Sequence, residues 1–165
     1  MILVVAGLHE RPFDRLIHAI APLAGTEELV VQRGASRVEV PGASTFESIA
    51  SDRLAAAYAR ARVVIGQASP GVLFDALDAG KRPILVPRRS SFGEHVDDHQ
   101  VAFAEFVRDR AVIVEDTREI EALVRSWDRG VPEQPPCGVR AHVVARVGQE
   151  VESVVRPTPS WWRFR

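Results

Sequence analysis

A chain of 165 residues with 46% hydrophobic and 26% charged residues is long enough for one sizeable core and has the balance of a globular protein. Its net charge of −1 excludes the basic footprint of a nucleic-acid binder. The single cysteine, Cys137, cannot close an internal disulfide, which fits a reducing compartment, and no apolar run approaches the ~18 residues of a membrane span.

The first run, Ile2 to Ala6, is almost entirely apolar, as a strand buried on both faces should be. No basic region precedes it, so it predicts a strand rather than a signal peptide. Gly7 ends it, and Phe13, Leu16, Ile17 and Ile20 recur at helical spacing up to Pro22 and Gly25. Glu28 to Gln32 predicts a second strand. Arg37 to Val40 alternates and predicts an edge strand, with a turn over Pro41 to Ser44. Phe46 to Ala61 predicts a helix with Leu54, Ala57, Tyr58 and Ala61 on one stripe. A strand at Val63–Ile65 stops at Gly66, a small-residue turn follows, and a helix opens at Pro70 and ends at Gly80. Pro83 to Val86 is the next strand. Then come a helix over Val96 to Arg108, a strand over Ala111 to Val114, and a helix over Thr117 to Trp127 capped by Asp116 or Thr117.

Residues 130–136 (GVPEQPP) read as a linker between a domain over 1–129 and a C-terminal segment over 130–165. That segment holds a helix candidate, Val139 to Val155, with Val143, Val147, Val151 and Val154 on a stripe; its β-branched valines make it a weak helix former. The tail carries Trp161 and Trp162 beside Arg163 and Arg165. Such a tail suits a membrane interface or a partner groove, and equally a tail folded onto its own domain.

Strands alternating with helices predict a single α/β domain with a doubly wound, mostly parallel sheet. In such sheets ligands bind beyond the carboxyl ends of the strands. The loops Gly7–His9, Gln32–Gly34, Gln67–Gly71 and Pro87–Gln100 all leave those ends, so they should meet at one cleft. The turn Gln67-Ala68-Ser69-Pro70-Gly71 is the most informative of them. Pro suits the first helical position, where its missing N–H is not needed, and Ser69 is a good N-cap. A helix start carries unpaired N–H groups and partial positive charge that favour a phosphate, and Gly71 leaves that backbone open. Asp75 lies one turn further on, on the same face, where a carboxylate can accept hydrogen bonds from a sugar diol. By pattern alone the same residues also describe an ordinary tight β–α turn with a capping serine and a solvated aspartate.

The stretch Val63-Val64-Ile65-Gly66-Gln67-Ala68-Ser69-Pro70-Gly71-Val72-Leu73-Phe74-Asp75-Ala76-Leu77, then Gly80-Lys81, Val86-Pro87 and Phe92-Gly93-Glu94-His95-Val96-Asp97-Asp98-His99-Gln100, resembles a known family. So does the opening, Val4-Val5-Ala6-Gly7-Leu8-His9-Glu10-Arg11-Pro12-Phe13-Asp14-Arg15-Leu16. The chain is similar, from Met1 to about Val114, to the nucleotide-sugar-binding half of family 28 glycosyltransferases, the MurG-like group. It is most similar to the single-domain PssE-type members that work beside a membrane-bound subunit.

The resemblance implies a Rossmann-like half of a GT-B glycosyltransferase. It also implies a UDP-sugar donor, hexosyl transfer with inversion, and a lipid-linked acceptor in exopolysaccharide assembly. Gly7, His9, Pro70, Gly71 and Val72 would hold the diphosphate, with Gln67 and Ser69 in the same turn. Asp75 would bind the ribose hydroxyls; Glu94, His95, His99 and Gln100 would line the sugar side. Backbone N–H groups would offset the charge on departing UDP. No Asp-x-Asp motif is present, so neither a metal nor another cofactor is expected. Two features, Glu94-x-x-x-x-His99 and the four-residue spacing of His95 and His99, resemble metal spacing but bring no recognisable third ligand. Asp97 and Asp98 read as a solvated helix start.

No residue has a clear claim as general base, His9 and His95 being the nearest candidates. The implied partners are therefore a nucleotide sugar and a membrane-anchored subunit that binds the lipid-linked acceptor, with this chain cytoplasmic at the inner face of the membrane. Gln67 stands where the family usually has His, Ser69 where it has Gly, and Val72 where a hydroxyl residue is common. Glutamine still hydrogen-bonds but does not titrate near neutrality, and Ser69 can itself cap the N–H groups a phosphate needs. Two other readings remain: a non-catalytic nucleotide-binding or scaffold subunit, and a generic nucleotide-binding α/β domain.

Overall fold

The computed structural model describes residues 1–127. The expected linker, C-terminal helix and tryptophan tail lie outside the described residues. In chain order the elements are β1 (Ile2–Val5), α1 (Asp14–Ile20), β2 (Leu29–Gln32), β3 (Ser44–Phe46), α2 (Ser51–Arg60), β4 (Val63–Gln67), α3 (Pro70–Asp78), β5 (Ile84–Val86), α4 (His99–Phe106), β6 (Val112–Ile113) and α5 (Ile120–Ser126). Short 3-10 turns at Ala21–Leu23, Ser90–Phe92 and Thr117–Glu119 join some of them.

All six strands pair in parallel, in the order β3-β2-β1-β4-β5-β6. Alternate residues of a strand face opposite sides of a sheet. Here Ile2, Val4, Leu29, Val31, Val63, Ile65, Ile84 and Val86 pack with Leu16, Ile17 and Ile20 of α1 and with Ile120 and Val124 of α5. The interleaved residues Leu3, Val5, Val64 and Leu85 pack with Tyr58 of α2, Leu73, Ala76 and Leu77 of α3, and Ala104 of α4. Helices cover both faces, so β1, β4 and β5 at the centre of the sheet are apolar at nearly every position. This is the expected doubly wound α/β sheet.

Several expected elements are corrected. Arg37–Val40 is not a strand: its alternation arises because Val40 is buried and Val38 packs against the same core from irregular backbone. The edge strand is β3, Ser44–Phe46, which the sequence assigned to a turn and a helix start. Its three residues are all exposed, and it forms through backbone pairing with Val30, Val31 and Gln32. The following helix accordingly starts at Ser51, not at Phe46. The helix expected over Val96 to Arg108 is also shorter: α4 starts at His99, because Val96–Asp98 stay in the loop, and ends at Phe106. Asp116 does accept from Arg118 N at 3.1 Å, but it caps a 3-10 turn that leads into α5.

Candidate functional site

The strand order reverses between β1 and β4, the point where doubly wound sheets open a crevice. The loops leaving those two strands carry the candidate residues. Gly7 has φ +86°, and a Cβ there would lie 2.2 Å from the Gln67 side chain. Only glycine serves this position. Gly34 approaches as closely: a Cβ on it would lie 2.1 Å from Gly7 O. The loops after β1, β2 and β4 therefore do converge.

What binds them together is a residue the sequence reading did not single out. Arg88, just past the end of β5, is fully buried. It donates to Ala6 O at 2.8 Å, Arg11 O at 2.9 Å, Glu94 O at 3.0 Å, Pro12 O at 3.2 Å and Gln67 Oε1 at 2.9 Å. Its guanidinium carbon also lies 4.5 Å from the centre of the Phe13 ring. A planar fork of five N–H donors is suited to such a convergence of acceptors. Burial lowers its pKa to about 10, against the opposing pull of Glu94, which leaves it charged at neutral pH. Gln100, also buried, accepts from Arg88 N at 3.1 Å and donates to Gln67 Oε1 at 3.3 Å. Gln67 and Gln100 thus spend hydrogen bonds on the protein's own knot. The signal available in the sequence was an arginine one residue beyond a buried strand, but nothing local says whether it turns out to water or inward.

Glu94 is buried as well. Its carboxylate takes Arg15 Nε and Nη2, both at 2.9 Å, and Arg89 N at 3.0 Å. The structure therefore places it behind the crevice wall, with Arg15 as its counter-ion; it positions the loop before α4. Arg11 adds a bond from Nη1 to His95 O at 2.8 Å.

In front of this wall lie three imidazoles. The His9 and His95 ring centroids are 4.3 Å apart, and those of His95 and His99 4.4 Å apart. His9 Nδ1 accepts from Arg11 N at 3.0 Å, and His95 Nδ1 from Val96 N at 2.9 Å. Burial, then the neighbouring His9 and His99, hold the His95 pKa below its ordinary value. Asp97 accepts from His99 N at 3.2 Å and meets the His99 ring. These contacts, the backbone one first, hold its carboxyl below the usual range. Asp98 turns the other way and accepts from Ser90 N at 2.8 Å.

The start of α3 is built as expected in outline. Pro70 occupies the first turn, and Ser69 Oγ accepts from Val72 N, at a long 3.5 Å. Gly71 is exposed, and a Cβ there would meet nothing within 4 Å. Val72 is buried against Gly66, so its side chain offers a ligand nothing, and its N–H is already held by Ser69 Oγ. Asp75 is half-buried and faces α2, lining a depression with Ser51, Leu54 and Tyr58. Burial, and next the Asp75 charge, push the Tyr58 hydroxyl pKa up. The structure thus brings together Gly7, His9, Gln67, Glu94, His95, His99 and Gln100, and sets Asp75 around the flank of α3.

The sequence model of the glycosyltransferase family 28 C-terminal domain matches residues 1–136. No curated protein matches this chain in sequence. Among solved structures, CalG4, the calicheamicin glycosyltransferase, is similar with TM-score 0.63 and 18% identity over 96% of this chain and 43% of its own. A glycotransferase of kitacinnamycin gives 0.61 and 18% over 92% and 42%. MurG of Acinetobacter baumannii gives 0.55 and 22% over 78% and 41%. The chain spans about two fifths of the length of these structures, and at such identities the likeness speaks for the fold. The family match over most of the chain, on a parallel sheet whose switch point carries the matching motifs, makes this chain a member of glycosyltransferase family 28, corresponding to its C-terminal domain.

Proposed function

We propose that the chain binds a UDP-sugar at the β1–β4 switch point and serves as the donor half of an inverting hexosyltransferase. The observation that carries this is the open start of α3 beside the converged loops of β1 and β5. Exposed first-turn backbone at Gly71 offers its N–H and the positive end of the helix to a diphosphate, and Val72 N joins it where the ligand displaces the long 3.5 Å cap from Ser69 Oγ. The same groups offset charge on the departing UDP, so donor binding needs no divalent ion. Asp75 takes the ribose hydroxyls as the nucleoside runs over the flank of α3 toward α2. His99 and Gln100 lie on the sugar side.

The acceptor site and general base belong to a second, membrane-anchored subunit of the PssE-partner kind, which brings a lipid-linked acceptor of polysaccharide assembly to the cytoplasmic face. Exposed apolar side chains beside the crevice, Leu8 (69%), Phe92 (59%) and Val96 (63%), support a covering partner. Among the described residues no helix is long and apolar enough to cross a membrane.

Titrating UDP into the full chain tests the reading. Saturable binding is expected, weakened at least tenfold in Asp75→Ala. Absence of both heat and thermal shift overturns it. A second reading, a non-catalytic scaffold subunit, is favoured by Gln67 being held by Arg88 and Gln100. Transfer by the complex with its membrane subunit would exclude that reading, and transfer by the lone chain would exclude the need for a partner.

A further inference from the structure

We propose that His95, Asp97 and His99 form a reversible site for a borderline divalent transition ion of the Zn²⁺ class. One ligand atom from each lies within 4.8 Å of the others. The sequence suggested His95 and His99 but offered no third ligand. The fold supplies it by turning Asp97 toward the imidazoles, while the adjacent Asp98 turns to Ser90 N, 2.8 Å away. Two imidazoles and one carboxylate suit Zn²⁺, Co²⁺ or Ni²⁺ rather than Mg²⁺ or Ca²⁺, which prefer all-oxygen sets.

Tetrahedral coordination with bonds of about 2.0–2.1 Å needs donors about 3.3 Å apart, closer than the widest separation here. The required closure falls on solvent-exposed partners with room to turn: the Asp97 and His99 side chains are 61% and 57% exposed. His95 is the fixed member, its side chain 11% exposed, its carbonyl held by Arg11 and its predecessor Glu94 locked to Arg15. The fourth position is open to water or to an oxygen of a bound ligand, the arrangement of an exchangeable rather than a closed structural site. Bound there, the ion would clip the loop before α4 to that helix's first residue. The site lies beside the donor crevice but does not depend on the donor reading.

The test uses the full, tag-free chain carrying Cys137→Ser, which removes the thiol as a competing ligand. Zn²⁺ is titrated calorimetrically, and Co²⁺ is followed by its visible d–d absorption. One ion per chain is expected, with a rise in melting temperature on Zn²⁺ addition. His95→Ala and His99→Ala should each weaken binding at least tenfold, and Asp97→Asn less. The metal-free melting temperature of His99→Ala should stay at the parent value, because that side chain is exposed. No saturable binding, or equal binding by the His95→Ala/His99→Ala double variant, overturns the proposal. Failure of the donor reading would appear only in the UDP titration, so the two outcomes are separable.

Discussion

The two ends of the sheet are both tied by an arginine, in opposite ways. At the amino end Arg62 pairs with Glu27, which also accepts from the Met1 amine at 2.9 Å. The Arg62 and Glu27 side chains are partly exposed, and the cluster ties the start of β1 to the segments preceding β2 and β4. At the carboxyl end Arg88 is fully buried and serves mainly neutral carbonyls, while the nearby carboxylate of Glu94 goes to Arg15. An exposed ion pair contributes ~1 kcal/mol or less. A buried charge is costly to desolvate and is retained only where many partners surround it. The carboxyl end therefore carries more polar structure than stability alone requires, and that structure holds the loops of the candidate site in one arrangement.

The largest expected effect comes from Arg88→Met. It leaves several buried carbonyls without donors, at ~1–3 kcal/mol each. Recovered desolvation energy offsets part of this, so a net loss of about 3 kcal/mol is expected. Thermal melting should fall by about 10 °C at this chain length. An unchanged melting temperature would mean that the knot does not hold the rim.

Gly7→Ala should follow, at about 2 kcal/mol. A non-glycine residue at φ +86° is strained by ~1–2 kcal/mol. In addition its Cβ would displace a Gln67 amide pinned by Arg88 and Gln100. Gly71→Ala is the matched control: it meets open space at an ordinary φ, so the unfolding free energy from denaturant titration should change by less than ~0.5 kcal/mol. Its UDP affinity should nevertheless fall, because the methyl stands where the diphosphate approaches. Equal loss of stability in both variants would erase the distinction between a structural and a ligand-facing glycine.

A smaller loss than those at Arg88 and Gly7 belongs to the amino end. Hydrogen bonding from Arg62 and then from the Met1 amine, opposed by burial, holds the Glu27 pKa below its ordinary 4.5. A depressed carboxyl pKa means that the unfolded chain binds the proton more readily. The stabilisation is thus complete above about pH 4.5 and lost as pH falls through the lower folded value. Glu27→Gln should cost about 1 kcal/mol or less at neutral pH and flatten the acid side of the stability–pH curve. A curve with the parent's slope would show that the pairing is absent in solution.

Much of the fold was legible because buried parallel strands must be apolar on both faces. Ile2–Val5, Val63–Ile65 and Ile84–Val86 were recognisable as strands for that reason. The start of α3 was legible from Ser69 and Pro70, whose roles are local. The edge strand was not, since Ser44-Thr45-Phe46 owes its conformation to backbone pairing with β2, a partner that leaves no mark on its own side chains. Alternation in Arg37–Val40 reported burial of two valines but carried no information about hydrogen bonding.

By itself the sequence determined the order of elements, the wound topology and the loops that share one rim. Each follows from short-range periodicity, turn chemistry and the handedness of parallel crossovers. Tertiary structure alone decided that Arg88 turns inward to a carbonyl 82 residues away, that Glu94 is consumed by Arg15, that Asp75 faces α2, and that Asp97 joins the histidines. Those outcomes depend on sheet register and helix rotation, which set distances between residues far apart in the chain, and no local spacing encodes them.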